Sequence, residues 1–342
     1  MTFTQPGAVL TAVAITGLAL AAPATAAAAP ASSARDMAHR AKGCITVTAT
    51  IPVGKAPEAV AADPKTNTIY TANELDNAVS VISARTNTVT ATIPVGSSPR
   101  AVAADTKTNT IYVANGSGFT VSVISARTNT VTATIPGVSG PQGIAVNPKT
   151  NTIYTANVVG NTVSVISGKT NTVTATIPVG TFPRGAAVDP KTNTIYVANV
   201  FGNTVSVISG KTNTVTATIP TLPVSFAPEA VAVDPKTNTI YVANAGSKTV
   251  SVISGKTNTV TATIHVGSIP FGIAVNPKTN TIYEANEIDG TVSVISGRTN
   301  TVTATIHVGS VPRGIAVDTK AKATYVANAD SNTVSVLAAC PK

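Results

Sequence analysis

The chain has 342 residues, of which only 11% are charged, and 23 Lys and Arg against 14 Asp and Glu leave a formal net charge of +9. That surplus favours anionic partners without proving one. With two cysteines, three histidines and no tryptophan, the chain carries no zinc-binding, haem-attachment, P-loop or nucleophile-elbow motif.

Residues 1–28 are apolar and alanine-rich, with a hydrophobic run over 8–22 and small-residue sites such as Ala24-Thr25-Ala26. This predicts a secretory signal peptide, the run being too short and too rich in alanine to span a membrane. No Lys or Arg precedes Arg35, so the usual positive n-region is missing; export is still the better reading. Residues 29–43 read as a flexible leader. The segment 45–54, Ile-Thr-Val-Thr-Ala-Thr-Ile-Pro-Val-Gly, then matches the last strand of every later repeat, although nothing resembling the earlier strands precedes it.

From there the chain is organised around the heptapeptide Asn-Thr-Ile-Tyr-Val-Ala-Asn and its near copies. They contain all 7 tyrosines, Tyr70, Tyr112, Tyr154, Tyr196, Tyr241, Tyr283 and Tyr325, spaced by 42 residues except for one step of 45. In the first copy, alternating or β-branched runs over 57–62, 68–73, 78–83 and 87–93 are bounded by Asp-Pro, Asn, Gly or Ser-rich turns. No stretch has helical periodicity. Four strands in about 40 residues are the signature of a propeller blade, so the fold class is all-β: a seven-bladed β-propeller with four antiparallel strands per blade, over residues 44–342. The seventh copy supplies runs at 312–317, 323–328 and 333–338 and then stops before a fourth strand. The N-terminal strand is therefore expected to pair with the C-terminal three, closing the ring and removing its exposed edges.

The cysteines test this closure. Aligned on the repeats, Cys340 falls where Arg85 sits and Cys44 where Thr86 sits, consecutive residues of the turn between strands three and four. A disulfide would replace the missing turn, and an exported protein is where such a bond persists; the alternative is two free buried thiols. Small apolar first strands, such as Ala59-Val60-Ala61-Ala62, suit crowding near the axis. The tyrosine reads as a blade-to-blade packing residue, and the Asn that ends each motif as a cap on the following turn.

The copies differ chiefly on one face, the other being nearly invariant. Turns after strands one and three repeat Asp-Pro-Lys-Thr-Asn and Gly-Lys-Thr-Asn or close variants, carrying Lys65, Lys107, Lys149, Lys191, Lys236, Lys278 and Lys320 with Arg85, Arg127, Lys169, Lys211, Lys256 and Arg298. This basic face is either a solvated surface or a binding surface for anionic wall polymers or nucleic acid. Nucleic acid is the weaker partner, since no aromatic residue lies there to stack on bases. The other face varies, as grafted recognition does. It holds Phe119, Phe182, Phe201 and Phe226 as an aromatic rim, and an acidic sector of Glu74, Asp76, Glu284, Glu287, Asp289 and Asp330 in blades six, seven and one. Oxygen ligands of that kind would suit calcium. The residue after the proline that opens each first strand, Glu58, Arg100, Gln142, Arg184, Glu229, Phe271 and Arg313, should ring the mouth of the central channel. Those seven form either a small-ligand site or, for Glu58 with Arg313 and Arg184 with Glu229, structural ion pairs between blades. His265 and His307, at the ends of outermost strands in adjacent blades, lie roughly 14 Å farther out than the innermost strand, three interstrand spacings, and the pair is not expected to share a metal.

The copies Tyr112-Val-Ala-Asn, Tyr196-Val-Ala-Asn, Tyr241-Val-Ala-Asn and Tyr325-Val-Ala-Asn, with Asn-Thr-Val-Ser-Val-Ile before the fourth strand, resemble the YVTN-type β-propeller repeat family over residues 44–340. That family includes surface-layer and secreted propellers and is similar in fold to lactonase-like and quinoprotein-like ones. Without tryptophan the docking motifs of the latter are missing. The resemblance implies the fold, its shared motif being structural; with the apolar leader and the missing catalytic motifs, the chain reads as an exported, monomeric, non-catalytic propeller, secreted or on the cell surface and without a transmembrane segment, that binds a ligand or cell-envelope component. A lyase or lactonase acting at the channel mouth is the alternative, with Glu58, Glu229, Glu284 or the arginines as acid, base or oxyanion partners.

Overall fold

A computed structural model describes residues 44–221 and 226–340; the expected signal peptide and leader lie outside the described residues. Seven four-stranded antiparallel sheets succeed one another along the chain. Blade one runs from the channel outward as Pro57–Asp63, Thr68–Asn73, Ala78–Ser83 and Thr88–Pro94, and blades two to six repeat this order. Blade seven is Pro312–Asp318, Ala323–Asn328 and Thr333–Ala339, completed by Ile45–Pro52. That last strand pairs antiparallel with its neighbour from Ile45 opposite Ala339 to Pro52 opposite Thr333, so the ring closes as the repeats require. Cys44 and Cys340 form a disulfide with Cα atoms 5.4 Å apart across a separation of 296 residues, and the Cys340 N–H donates to the Cys44 carbonyl at 3.1 Å.

The second strand of each blade is buried on both faces, because neighbouring blades cover it from either side. Tyr70 packs with Val79 and Val81 of blade one against Ile111 and Val113 of blade two. Across the closure, Tyr325 makes the same step onto Ile69 and Val60. The core is thus a ring of interfaces rather than one central cluster. Burial, with Asp63 nearby, pushes the Tyr70 phenol up to about 12, as expected of a packing residue rather than an acid or base.

The Asn that ends the motif does something other than cap the next turn. Asn115 Nδ2 donates to Ser122 Oγ at 2.9 Å and to Thr120 Oγ1 at 3.0 Å, and Asn73 Nδ2 donates to Ser80 Oγ at 2.8 Å. It is a buried clamp between strands two and three. In blades one, three, four and seven linking falls to the Asn four residues later: Asn77 Oδ1 accepts the Ser98 N–H at 2.8 Å and Asn161 Oδ1 the Phe182 N–H at 2.8 Å, tying those turns to the next blade.

Candidate ligand site at the channel mouth

The seven variable residues do converge on the channel, and the backbone explains how. In every blade the pairing of strands one and two slips just after the opening proline: Pro57 opposes Asn73 while Ala59 opposes Ala72, leaving Glu58 without a partner. The same slip frees Arg100, Gln142, Glu229 and Phe271, and in blades four and seven it frees Arg184 and Arg313 with the glycine that follows each. Bulges of this kind re-aim side chains. Here seven of them direct seven different groups into one cavity of about 180 Å³, which all seven line. Close packing of the inner strands needs glycine beside them: a Cβ at Gly272 would collide with the Arg313 carbonyl oxygen, and one at Gly143 with that of Arg184.

Charges at the mouth are paired. Glu58, 6% exposed, takes Arg313, which also holds Glu287 at 2.9 Å. Arg100 binds Glu74 at 2.5 Å and reaches Glu58 at 3.8 Å. Arg184 Nη1 meets Glu229 Oε2 at 2.6 Å. Both ion pairs weighed from sequence therefore form, and they line the cavity instead of replacing it. Phe271 lies under two of the cations, 4.8 Å from the Arg184 guanidinium carbon and 5.3 Å from that of Arg313, an attraction that holds the rings and forks in place. Burial raises the Glu58 carboxyl above its usual range against the pull of Arg313, and burial raises Glu229 against that of Arg184. Three guanidiniums face four carboxylates, so the mouth offers no surplus positive charge. An anion would have to displace carboxylates already in place, whereas a neutral ring bearing hydroxyl or carbonyl oxygens would find donors, acceptors and an aromatic face.

The acidic sector does not gather. Glu74 and Glu287 turn inward to arginines; Asp76 Oδ2 accepts the Lys55 N–H and Asp289 Oδ2 the Ser268 N–H, each at 2.7 Å, securing the loop before the first strand; Asp330 is exposed. Among the described residues no group of three His, Cys, Asp or Glu could hold a metal ion, so calcium loses the ligand set expected for it. Glu284 is placed differently again. It occupies the second-strand position where Val113, Val197, Val242 and Val326 pack, it is fully buried, and neither carboxyl oxygen has a hydrogen-bond partner among the described residues. Burial raises its carboxyl well above the ordinary value, only partly opposed by the Phe271 backbone.

The rim is apolar in fact as well as in sequence. Phe201 is 67% exposed, Phe119 and Phe226 are each 48% exposed, and the Phe182 and Phe201 rings lie 4.4 Å apart. Leu75 and Ile288, which occupy the position of Phe201 in blades one and six, extend this rim and were missed by attention to aromatics alone. His265 and His307 sit exposed at the ends of outermost strands, away from the mouth.

Comparison with known proteins bears on the fold first. A family model described as Lactonase, 7-bladed beta-propeller, matches residues 167–302, less than half of the chain. Hydrazine synthase of Kuenenia stuttgartiensis is similar in structure, with a TM-score of 0.74 at 20% identity over 82% of this chain and 95% of that one. No curated protein matches the sequence. The chain is thus a seven-bladed propeller whose stretch from 167 to 302, which holds Arg184, Glu229 and Phe271, is similar to the lactonase propeller family.

Proposed function

We propose that the protein is an exported, monomeric, non-catalytic propeller, free or at the cell surface, that binds a small neutral, oxygen-rich ring at the channel mouth. The observation that carries this is the set of seven bulges, which spend the variable position of every blade on one cavity with no surplus positive charge and a partly buried Phe271 in its lining. The disulfide supports an oxidising compartment, and among the described residues no helix is long and apolar enough to cross a membrane. Thermal-shift and calorimetric titration should find binding among neutral sugars, polyols and lactones, and weaker or no binding of their carboxylate counterparts. The variant R184A/F271A/R313A should lose it. If carboxylates bind better than neutral rings, this account of the mouth's charge is wrong.

Lactone hydrolysis is the second reading, favoured by the partial match to the lactonase propeller family. Glu229, ionised, would take a proton from water as it adds to the ring carbonyl; Arg184, paired to it at 2.6 Å, would stabilise the oxyanion; the ring C–O bond would break and the alkoxide take up the proton, giving a hydroxy acid. Lactone-dependent acid release that E229Q abolishes, with binding retained, would replace the non-catalytic reading by this one.

A further inference from the structure

The opposite face has cavities of its own, which the mouth does not explain. At the junction of blades five and six lies a cleft of about 480 Å³. Thr237, Asn238, Ser254 and Lys256 of blade five line it with the buried Tyr241, and blade six contributes Gly297 and Asn300. A second cleft, of about 270 Å³, sits at the junction of blades one and two. Its lining is the same set of repeat positions, Thr66, Asn67, Ser83 and Arg85, with Ala126 and Asn129 from blade two. The larger cleft has glycine where the smaller has alanine, and lysine where the smaller has arginine. In sequence the glycine recurs as Gly168, Gly210 and Gly255, and the alanine as Ala84 and Ala339.

Among the described residues each cleft presents hydroxyls, two carboxamides and one exposed cation, and no carboxylate. The buried Oδ1 atoms of Asn238 and Asn300 in the larger cleft, and of Asn129 in the smaller, have no hydrogen-bond partner among the described residues. Buried acceptors left in that state are rare and call for an explanation. Those atoms are closed off from solvent, so a ligand would meet instead the hydroxyls of Thr237 and Ser254, with an oxyanion on the lysine. Around the clefts stand thirteen exposed cations of the repeated turns, whereas Asp63, Asp105, Asp189, Asp234 and Asp318 are withdrawn from the surface, each accepting a backbone N–H of its own turn. We propose that this repeated face docks an anionic, hydroxyl-bearing polymer, whose successive units enter the clefts between blades. One unit in one cleft binds weakly, and several held by one backbone bind far more tightly than any alone. A nucleic acid is the poorer fit, since among the described residues no aromatic side chain is exposed on this face to stack with its bases.

The test uses the full chain and two probes of graded length, a polygalacturonate and a poly(glycerol phosphate), with dextran and single-stranded DNA as comparators at one salt concentration. One variant, K169Q/K211Q/K256Q, removes the cations of three clefts. The other, G210A/G255A/G297A, narrows the same three clefts to the form the protein already has between blades one and two, without changing charge. Affinity for one of the polymers should rise at least tenfold from short to long chains, and each variant should lose about tenfold. The preferred polymer identifies the anion as carboxylate or phosphate. Wild-type affinity in the alanine variant would reduce the surface to diffuse attraction and overturn the proposal, as would equal affinity for DNA or binding of neither polymer. Should the alanine variant unfold, Ala126→Gly widens the narrow cleft instead: a gain in affinity supports the proposal, and no change overturns it.

Discussion

The two faces of the ring are built from the same strands and differ only in which ends are joined, yet one is nearly identical from blade to blade and the other is not. Backbone geometry accounts for the contrast. Turns of the repeated face put Asn67 and Asn87 at φ 56° and 54°, the left-handed conformation that Asn tolerates best among residues with a side chain. Asp63, Ser83 and their counterparts accept the N–H groups of those turns, so three or four residues per turn are committed to shape. On the variable face the same left-handed conformation falls on Ser98, Phe119, Phe182 and Ile269. Residues that fit it poorly are accepted there. What the contrast teaches is that the repeated face keeps its chemistry because its turns demand it, whereas the variable face tolerates backbone strain and so leaves side-chain identity free for recognition.

The largest expected effect lies on the repeated face, at its one interruption. The disulfide takes the place of a turn, and the variant C44S/C340S should lose on the order of 4–6 kcal/mol in denaturant unfolding, the chain-entropy model giving about 5–6 kcal/mol for so long a loop. A loss below about 1 kcal/mol would mean that strand pairing alone closes the ring. Next comes the mouth. Glu58→Ala strands Arg100 and Arg313 against one carboxylate each and should cost about 2 kcal/mol, less than a fully buried pair because both arginines keep a partner and about a quarter of their surface. Lys107→Gln on the other face should change stability by less than about 0.5 kcal/mol. Equal effects from the two would erase the contrast between the faces.

Glu284 sharpens the comparison from within the core. A carboxyl whose folded value is raised gives stability that is fully present below the unfolded value of 4.5 and is lost as pH rises through the folded one, because the unfolded chain ionises freely and the buried group does not. Glu284→Val should therefore stabilise the protein by about 1–3 kcal/mol at neutral pH and flatten the decline that sets in above pH 4.5. Glu58 and Glu229 contribute slopes of the same sign, so some decline should remain. An unchanged pH profile in E284V would show that the carboxyl is not the source. A smaller effect than that of Glu284 is expected at the rim: Phe119→Asn, at φ 51°, should raise stability by about 0.5–1 kcal/mol, and a loss would mean that the exposed ring has an intramolecular partner.

Much of this fold can be read from the chain because seven copies repeat every signal. The tyrosine spacing predicts the blades, the orphan strand predicts the closure, and the positions of Cys44 and Cys340 in the repeat frame predict their bond. The mouth residues are legible as a set, since they are the variable position beside a constant proline. What is not legible depends on partners across blades. Composition places Glu74 and Glu287 with the other acids, but each is claimed by an arginine from a neighbouring blade. Asn115 stands before a turn and so suggests a cap, while its side chain points back to Ser122. The bulge that frees Glu58 leaves no mark in a run that alternates correctly on both sides. Glu284 could have been noticed, as the one carboxyl at a position otherwise held by Val or Thr, with the burial of that position implied by the tyrosine beside it.

The shared sequence of the outer strands has a consequence for assembly. Ile45–Pro52 carries the same alternation as Thr88–Pro94, and its partner Thr333–Ala339 opens with the same Thr-Val-Ser-Val as most third strands. Hydrogen bonding alone cannot tell one such pair from another. In blades one to six the correct partner is tethered through a short turn and is present at an effective concentration in the millimolar range, so it wins locally. The N-terminal strand has no tethered rival only at the last blade. Which strand belongs where is thus decided by counting tethers, and a chain shortened before residue 52 would expose a pairing edge that the corresponding strand of a second molecule fits equally well.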